Sequence, residues 1–211
     1  MFQHQPLPYP TSRLEPVIDE ETVAIHHGKH QKGYTDKLNA ALAPGGSSSS
    51  LAELLAQPSL PSSVLDNAGG VYNHVLYWNC MTDTASAASS KISTPLLDKI
   101  NLSFGSFENM KQEFSDKAVR LLGSGWVWLG TTATGELRTV ATQNQDNPMT
   151  PGKCSETVLP FLCIDVWEHA YYLKYRNMRQ SHVAGWWSLV DWAAVSLNYS
   201  SVCERNGALP L

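Results

Sequence analysis

The spacing of apolar residues changes period part-way along the chain. From Asp19 to Leu42, and again from about Ser62 to Thr82, apolar and aromatic residues recur three and four apart, the mark of amphipathic helices. After Gly123 the period falls to two: Trp126, Trp128 and Gly130 alternate with Val127 and Leu129. Thr134-Gly135 supplies a hairpin turn, Glu136 to Thr142 returns, and Val158 to Ile164 is a third apolar run of strand length. The pattern predicts an α+β chain: a long α-helical hairpin, then an α/β domain with a small three-stranded antiparallel sheet and helices on one side.

Local signals fill in the rest. Residues 6 to 18 carry four prolines and read as an extended arm. Asp19 is a good helix cap, and Glu20 and Glu21 suit a first turn by charge. Pro44-Gly45-Gly46 and the serines after it read as a flexible loop, followed by a short helix from Leu51 to Ala56. Ala85 to Ser90 is small, polar and turn-prone, which places a boundary between domains 1–88 and 89–211. Helices follow around Pro95 to Ile100 and from Phe107 to Leu122, the latter capped by Ser106. A last helical stretch, Ala170 to about Tyr199, is interrupted near Gln180 to His182.

The two arms of the hairpin each carry a histidine stripe. His26, His30, Tyr34 and Leu38 recur every fourth residue on the first; Gly70, His74, Tyr77 and Trp78 share a face of the second. A third histidine follows the last strand in Asp165-Val166-Trp167-Glu168-His169-Ala170-Tyr171-Tyr172. A lone helix histidine is usually a hydrogen-bonded core residue, and a bare Asp-x-x-x-His usually an ion pair. Three buried imidazoles beside one carboxylate are different, because they leave many polar nitrogens to satisfy. One metal ion satisfies them together, so His26, His74, Asp165 and His169 are the candidate ligands. Three nitrogens and one oxygen suit iron, manganese or zinc, whereas a closed structural zinc site more often uses cysteine.

Composition narrows the classes. The 211 residues are 43% hydrophobic and 16% charged, which is globular. The net charge of -4 and the scattering of the 15 basic residues argue against nucleic acid as partner. No apolar stretch approaches the roughly 18 residues needed to cross a bilayer. Met1 to Pro6 lacks the charged and apolar regions of a secretory leader. Cys80, Cys154, Cys163 and Cys203 form no regular framework and read as reduced thiols of an intracellular, soluble protein of cytoplasm or organelle lumen, with a Cys154–Cys203 bridge as the alternative.

Five stretches together resemble the iron/manganese superoxide dismutase family: His26-His27-Gly28-Lys29-His30 with Tyr34; Asn67-Ala68-Gly69-Gly70 with Asn73-His74; Gly123 to Leu129; Gln143-Asn144-Gln145-Asp146; and Asp165 to Tyr172. The resemblance covers nearly the whole chain. It implies conversion of two superoxide radicals and two protons into dioxygen and hydrogen peroxide on one manganese or iron ion per subunit, held by His26, His74, Asp165, His169 and a bound solvent. It further implies that Tyr34 and His30 guard the channel and relay protons, and that Gln145 bonds the solvent. Trp78, Trp126, Trp128 and Trp167 would form an apolar jacket. Glu168 and Tyr172 would reach His169 and His30 of a second subunit, in a homodimer or a tetramer of paired dimers.

Gly70, one turn before His74, leaves a space that Gln145 would fill, which resembles the manganese-type members; Tyr77-Trp78-Asn79-Cys80 resembles the iron branch. Lys29, Arg176 and Arg179 are the candidates for steering an anionic substrate. The chain departs from the family pattern at Gln180, at Asp191 and in its long tail from Ser200. A metal-binding protein without turnover, or an iron oxygenase, would be the rival readings. Tyr34, His30 and Gln145 count against the first, the fourth ligand against the second.

Overall fold

A computed structural model describes residues 1–42, 49–205 and 207–209. The Pro44-Gly45-Gly46 loop lies outside these except for its final serines. The first helical arm starts where the sequence predicts: the Asp19 carboxylate accepts from the Thr22 amide at 2.7 Å, and α1 runs Glu20–Ile25. It does not continue as one α-helix. Residues His26–Gln31 form a π turn before α2, Lys32–Ala41. A π turn takes more residues per revolution than an α turn. It therefore cancels part of the drift that a four-residue repeat suffers on a regular helix, and both His26 and Tyr34 reach the same centre.

After α3 (Leu51–Leu55), the second arm is α4 (Ser62–Asn79), buried along most of its length. The segment read as turn-prone is in fact a short helix, α5 (Thr84–Ser89), because Asp83 caps it through the Ser86 amide at 2.9 Å. Next come α6 (Thr94–Phe104) and α7 (Phe107–Arg120), the latter capped by Ser106 as expected.

The sheet has the order β2-β1-β3, all antiparallel, with β1 Gly125–Thr131, β2 Leu137–Gln143 and β3 Leu159–Asp165. Gly135 takes a φ of 78° in the hairpin turn, which a glycine reaches without strain. All seven residues of β1 are buried, so both faces of the sheet are covered and not one alone. One face meets α4: Trp126 and Trp128 stack at 5.7 Å, and Trp126 meets Tyr77 edge-on at 5.9 Å.

Beyond β3 the chain makes α8 (Tyr172–Tyr175), α9 (Arg179–Trp186) and α10 (Trp192–Arg205). The break expected at Gln180 to His182 falls earlier, around Arg176 with its φ of 54°, and again before Trp192. Gln180 itself is helical; lacking a ring, it keeps the amide hydrogen that a proline would remove. The tail beyond α10 returns to the core, where Leu209 is buried. All four cysteines are free thiols. Among the described residues no helix is long and apolar enough to cross a membrane.

Candidate metal centre

The four residues come from four different places. His26 opens the π turn, His74 sits on α4, Asp165 is the last residue of β3, and His169 lies in the turn beyond it. One donor atom from each lies within 4.8 Å of every other. His26 Nε2, His169 Nε2 and His74 Nε2 stand 3.0, 3.4 and 3.8 Å from Asp165 Oδ2. Yet all four atoms are buried without a hydrogen-bond partner. They approach one another without aiming at one another, which is costly for buried polar groups unless something joins them.

The other atoms of two of them are held. His74 Nδ1 donates to the Gly70 carbonyl one turn back, which leaves Nε2 as a lone pair. Asp165 Oδ1 accepts from the Trp167 amide at 2.8 Å, which leaves Oδ2 free. Burial pushes the His26 imidazole down to about 4, against the opposing pull of Asp165. Burial, then the neighbouring His26, hold His74 well below its ordinary value. Burial alone would raise Asp165, but the imidazoles of His169 and His26 outweigh it and hold the carboxyl below the usual range. At neutral pH His26 and His74 are therefore neutral and Asp165 is ionised, the protonation that a divalent or trivalent cation needs of such ligands. The donor set and its unmet atoms fit manganese or iron.

Around the four lies an aromatic wall: His26 meets Trp78 at 4.9 Å and His74 meets Trp126 at 5.1 Å, both edge-on, while Trp167 stacks on His169 at 5.3 Å. Gln145 is 3% exposed, so its amide is fixed by bonds and not by solvent. Its Nε2 donates to the Tyr34 hydroxyl at 3.1 Å, and its Oε1 accepts from Trp126 Nε1 at 3.1 Å and Asn73 Nδ2 at 3.2 Å. Asn147 braces Asn73 in turn at 2.9 Å. The space beside Gly70 is not filled by Gln145. A Cβ there would meet the Tyr34 ring at 2.3 Å, whereas a Cβ on Gly69 would meet the Gln145 carbonyl at 2.0 Å. The two glycines thus admit one partner each.

Residues 1–82 match the description "Iron/manganese superoxide dismutases, alpha-hairpin domain", and residues 92–198 match the C-terminal domain of the same family. The chain belongs to the iron/manganese superoxide dismutases. A relative named "Superoxide dismutase [Mn]" from Acinetobacter baylyi is 41% identical, over 97% of this chain and 90% of that protein.

The remaining expected groups of this dismutase chain sit nearby. His30 stacks on His169 at 4.2 Å and is partly exposed. Glu168 accepts from Ser124 at 2.5 Å and faces Arg179 at 3.4 Å, half exposed. Tyr172 is exposed too. Two of the steering candidates are otherwise engaged. Arg179 donates to the Leu121 and Gly123 carbonyls and to Tyr171, and Arg176 to the Tyr172 and Leu173 carbonyls. Sequence reasoning gave no role to Asn147 or His182. Asn147 had a faint signal, an amide in a loop directly after Gln145-Asp146.

Proposed function

We propose that this chain disproportionates superoxide to dioxygen and hydrogen peroxide, with manganese as its metal. The observation that carries the reading is the convergence of four buried, unpartnered donor atoms from His26, His74, Asp165 and His169. Manganese is supported by the pairing in the sequence of Gly70 with Gln145, whose amide reaches the hydroxyl of the Tyr34 ring that lies against Gly70, and by the name of the bacterial relative. A bound manganese ion supplies one-electron exchange between its trivalent and divalent states, so that two superoxide anions and two protons become dioxygen and hydrogen peroxide.

The chain's own groups do the rest. Burial holds the Tyr34 phenol above its ordinary value, against the Gln145 bond that lowers it, with Asp165 and Asp66 adding to the rise. Tyr34 therefore stays protonated at neutral pH. Because Gln145 donates to its oxygen, its own proton is free to be given to a reduced dioxygen species in the channel. His30, stacked on His169, is the second proton-bearing group. The tryptophans exclude water from the donor atoms.

The outer side of the site supports a homodimer as the working unit, in which Glu168 and Tyr172 would meet His169 and His30 of the second subunit; dimers pairing into tetramers stays compatible with the sequence. The family match ending at 82 and resuming at 92 supports division near residue 88 into a hairpin domain and an α/β domain. An intracellular setting is supported by four free thiols.

The test is reconstitution of the purified chain with manganese alone or iron alone, followed by direct observation of superoxide decay after a radiolytic pulse. Manganese-loaded protein is expected to remove superoxide catalytically and iron-loaded protein far more slowly. Equal decay with either ion would overturn the metal assignment, and stoichiometric decay alone would overturn the activity.

A further inference from the structure

His182 is a fully buried histidine that neither the ligand set nor the proton path uses. It lies on α9, and its Nε2 is 3.0 Å from the main-chain oxygen of Asp165. A carbonyl only accepts, so Nε2 carries the hydrogen and the tautomer is fixed. Nδ1 is left as a lone pair, buried with no partner. Burial pushes this imidazole down to about 4, so it is neutral. An aromatic ring without nitrogens would fill the same volume with no unmet atom of its own, but would leave the Asp165 carbonyl without this partner. The single bond to Asp165 is what distinguishes histidine here.

The sheet explains why that carbonyl needs a partner. The Val166 amide bonds the Gly125 carbonyl, so the neighbouring pair, Trp126 opposite Asp165, is the non-bonded one of the antiparallel ladder. The backbone groups of Asp165 therefore point off the edge of β3, away from β1. His182 meets the carbonyl there. The same helix holds the following turn: Arg179, one turn before His182, binds Glu168 and the Tyr171 hydroxyl, and Tyr171 stacks on His182 at 5.2 Å. From one side α9 thus grips both Asp165 and the turn that carries His169.

We propose that His182 is a positioning residue: by fixing the Asp165 peptide at the sheet edge it fixes the direction of the Asp165 carboxylate, and with it the grip and the ligand field of the metal. This rests on the metal reading above. The carboxylate is held at one end by the Trp167 amide and at the other by its own backbone, so a rotated peptide turns Oδ2 away from the three imidazoles.

The experiment compares H182F, which fills the volume without a donor, with H182Q, whose amide can reach the same carbonyl. Both are loaded with manganese, and two quantities are read: the rate of manganese release to a chelator, and the visible absorption band of trivalent manganese. H182F is expected to release the ion about tenfold faster, within the range for outer partners of metal ligands, and to shift the band. H182Q is expected to stay within about twofold of the unmodified chain with the band in place. If H182F does not fold, H182N, too short to reach, takes its place in the comparison. A donor-free or short variant with unchanged release and band overturns the proposal, as does H182Q behaving like H182F. An unmodified chain that takes up no manganese would fail the functional reading instead, which keeps the two failures distinct.

Discussion

His169 has two sides, and they are built differently. On its inner side, Nε2 faces His26, His74 and Asp165 in a buried space where two of the donors are oriented from within the chain: His74 by Gly70, Asp165 by Trp167 and His182. On its outer side stand Glu168, Tyr172 and, close by, Leu122, which is 87% exposed. Among the described residues, Ser124 and Arg179 are the groups that hold Glu168. The inner side lacks nothing but an ion, whereas the outer side presents polar and apolar groups that a second protein surface would cover. The difference separates the metal set, which one chain assembles, from the exposed groups on which the proposed second subunit would sit.

The hardest test of the inner side is removal of a donor. His74→Ala deletes an imidazole at the centre of a space closed by Trp126 and Tyr34. Metal uptake from stoichiometric manganese is expected to fall at least about a hundredfold, and superoxide decay to return to the uncatalysed rate. Metal analysis after gel filtration checks it. Retention of a full equivalent of manganese would show that His74 is not a ligand.

The second test uses the strain that the inner side carries when metal-free. His26 and His182 both sit at about 4 when folded, against 6.5 when free. Between those values the unfolded chain binds more protons than the folded one, so stability falls as pH drops from about 6.5 to about 4 and levels off below. Each group contributes on the order of 3 kcal/mol above that window. Urea midpoints of the metal-free protein from pH 7 to pH 4 should show the loss, and a flat profile would mean that these imidazoles are not buried neutral. Asp165 acts later: its depressed carboxyl stabilises above 3.8 and loses that contribution as pH falls further.

This contrast was only half legible in the sequence. The three histidines and Asp165 could be read because helical and strand periods fix which side chains share a face, and the hairpin and sheet follow from the same periods. The π turn at His26–Gln31 was not legible, because a four-residue repeat is compatible with either helix type. Nor was His182: its role depends on which backbone groups of β3 point off the sheet edge, a matter of register that no single segment encodes. The helix at Thr84–Ser89 was hidden by its small polar residues, which cap and turn chains as readily as they extend a helix.

For the outer side the sharpest variant is Glu168→Ala. It leaves all four donors in place and removes the carboxylate proposed to orient His169 of a second subunit. Manganese affinity is expected to fall roughly tenfold to a hundredfold, with dissociation to monomers at micromolar concentration. Sedimentation alongside metal titration separates the effects. A variant that remains dimeric and binds manganese normally would remove Glu168 from the link between the two sides.

The smallest expected effect concerns how the anion arrives. The chain carries a net charge of -4, so its overall field repels superoxide and any attraction must be local. Arg179 and Arg176 have their guanidinium groups bound to main-chain carbonyls, and Glu168 lies against the first. Lys29 is different. It stands exposed in the π turn, next in sequence to His30. A single exposed charge acts over about a Debye length, roughly 10 Å at 0.1 M salt, which confines its influence to the approach. Lys29→Gln is therefore expected to lower the bimolecular rate with superoxide by about twofold at low ionic strength, and to leave metal content and metal release unchanged. The deficit should vanish near 1 M salt, where the Debye length falls to about 3 Å. A deficit that persists in high salt would mean that Lys29 acts by contact and not by its field, and no deficit at any salt would leave the channel's own groups to draw the substrate in.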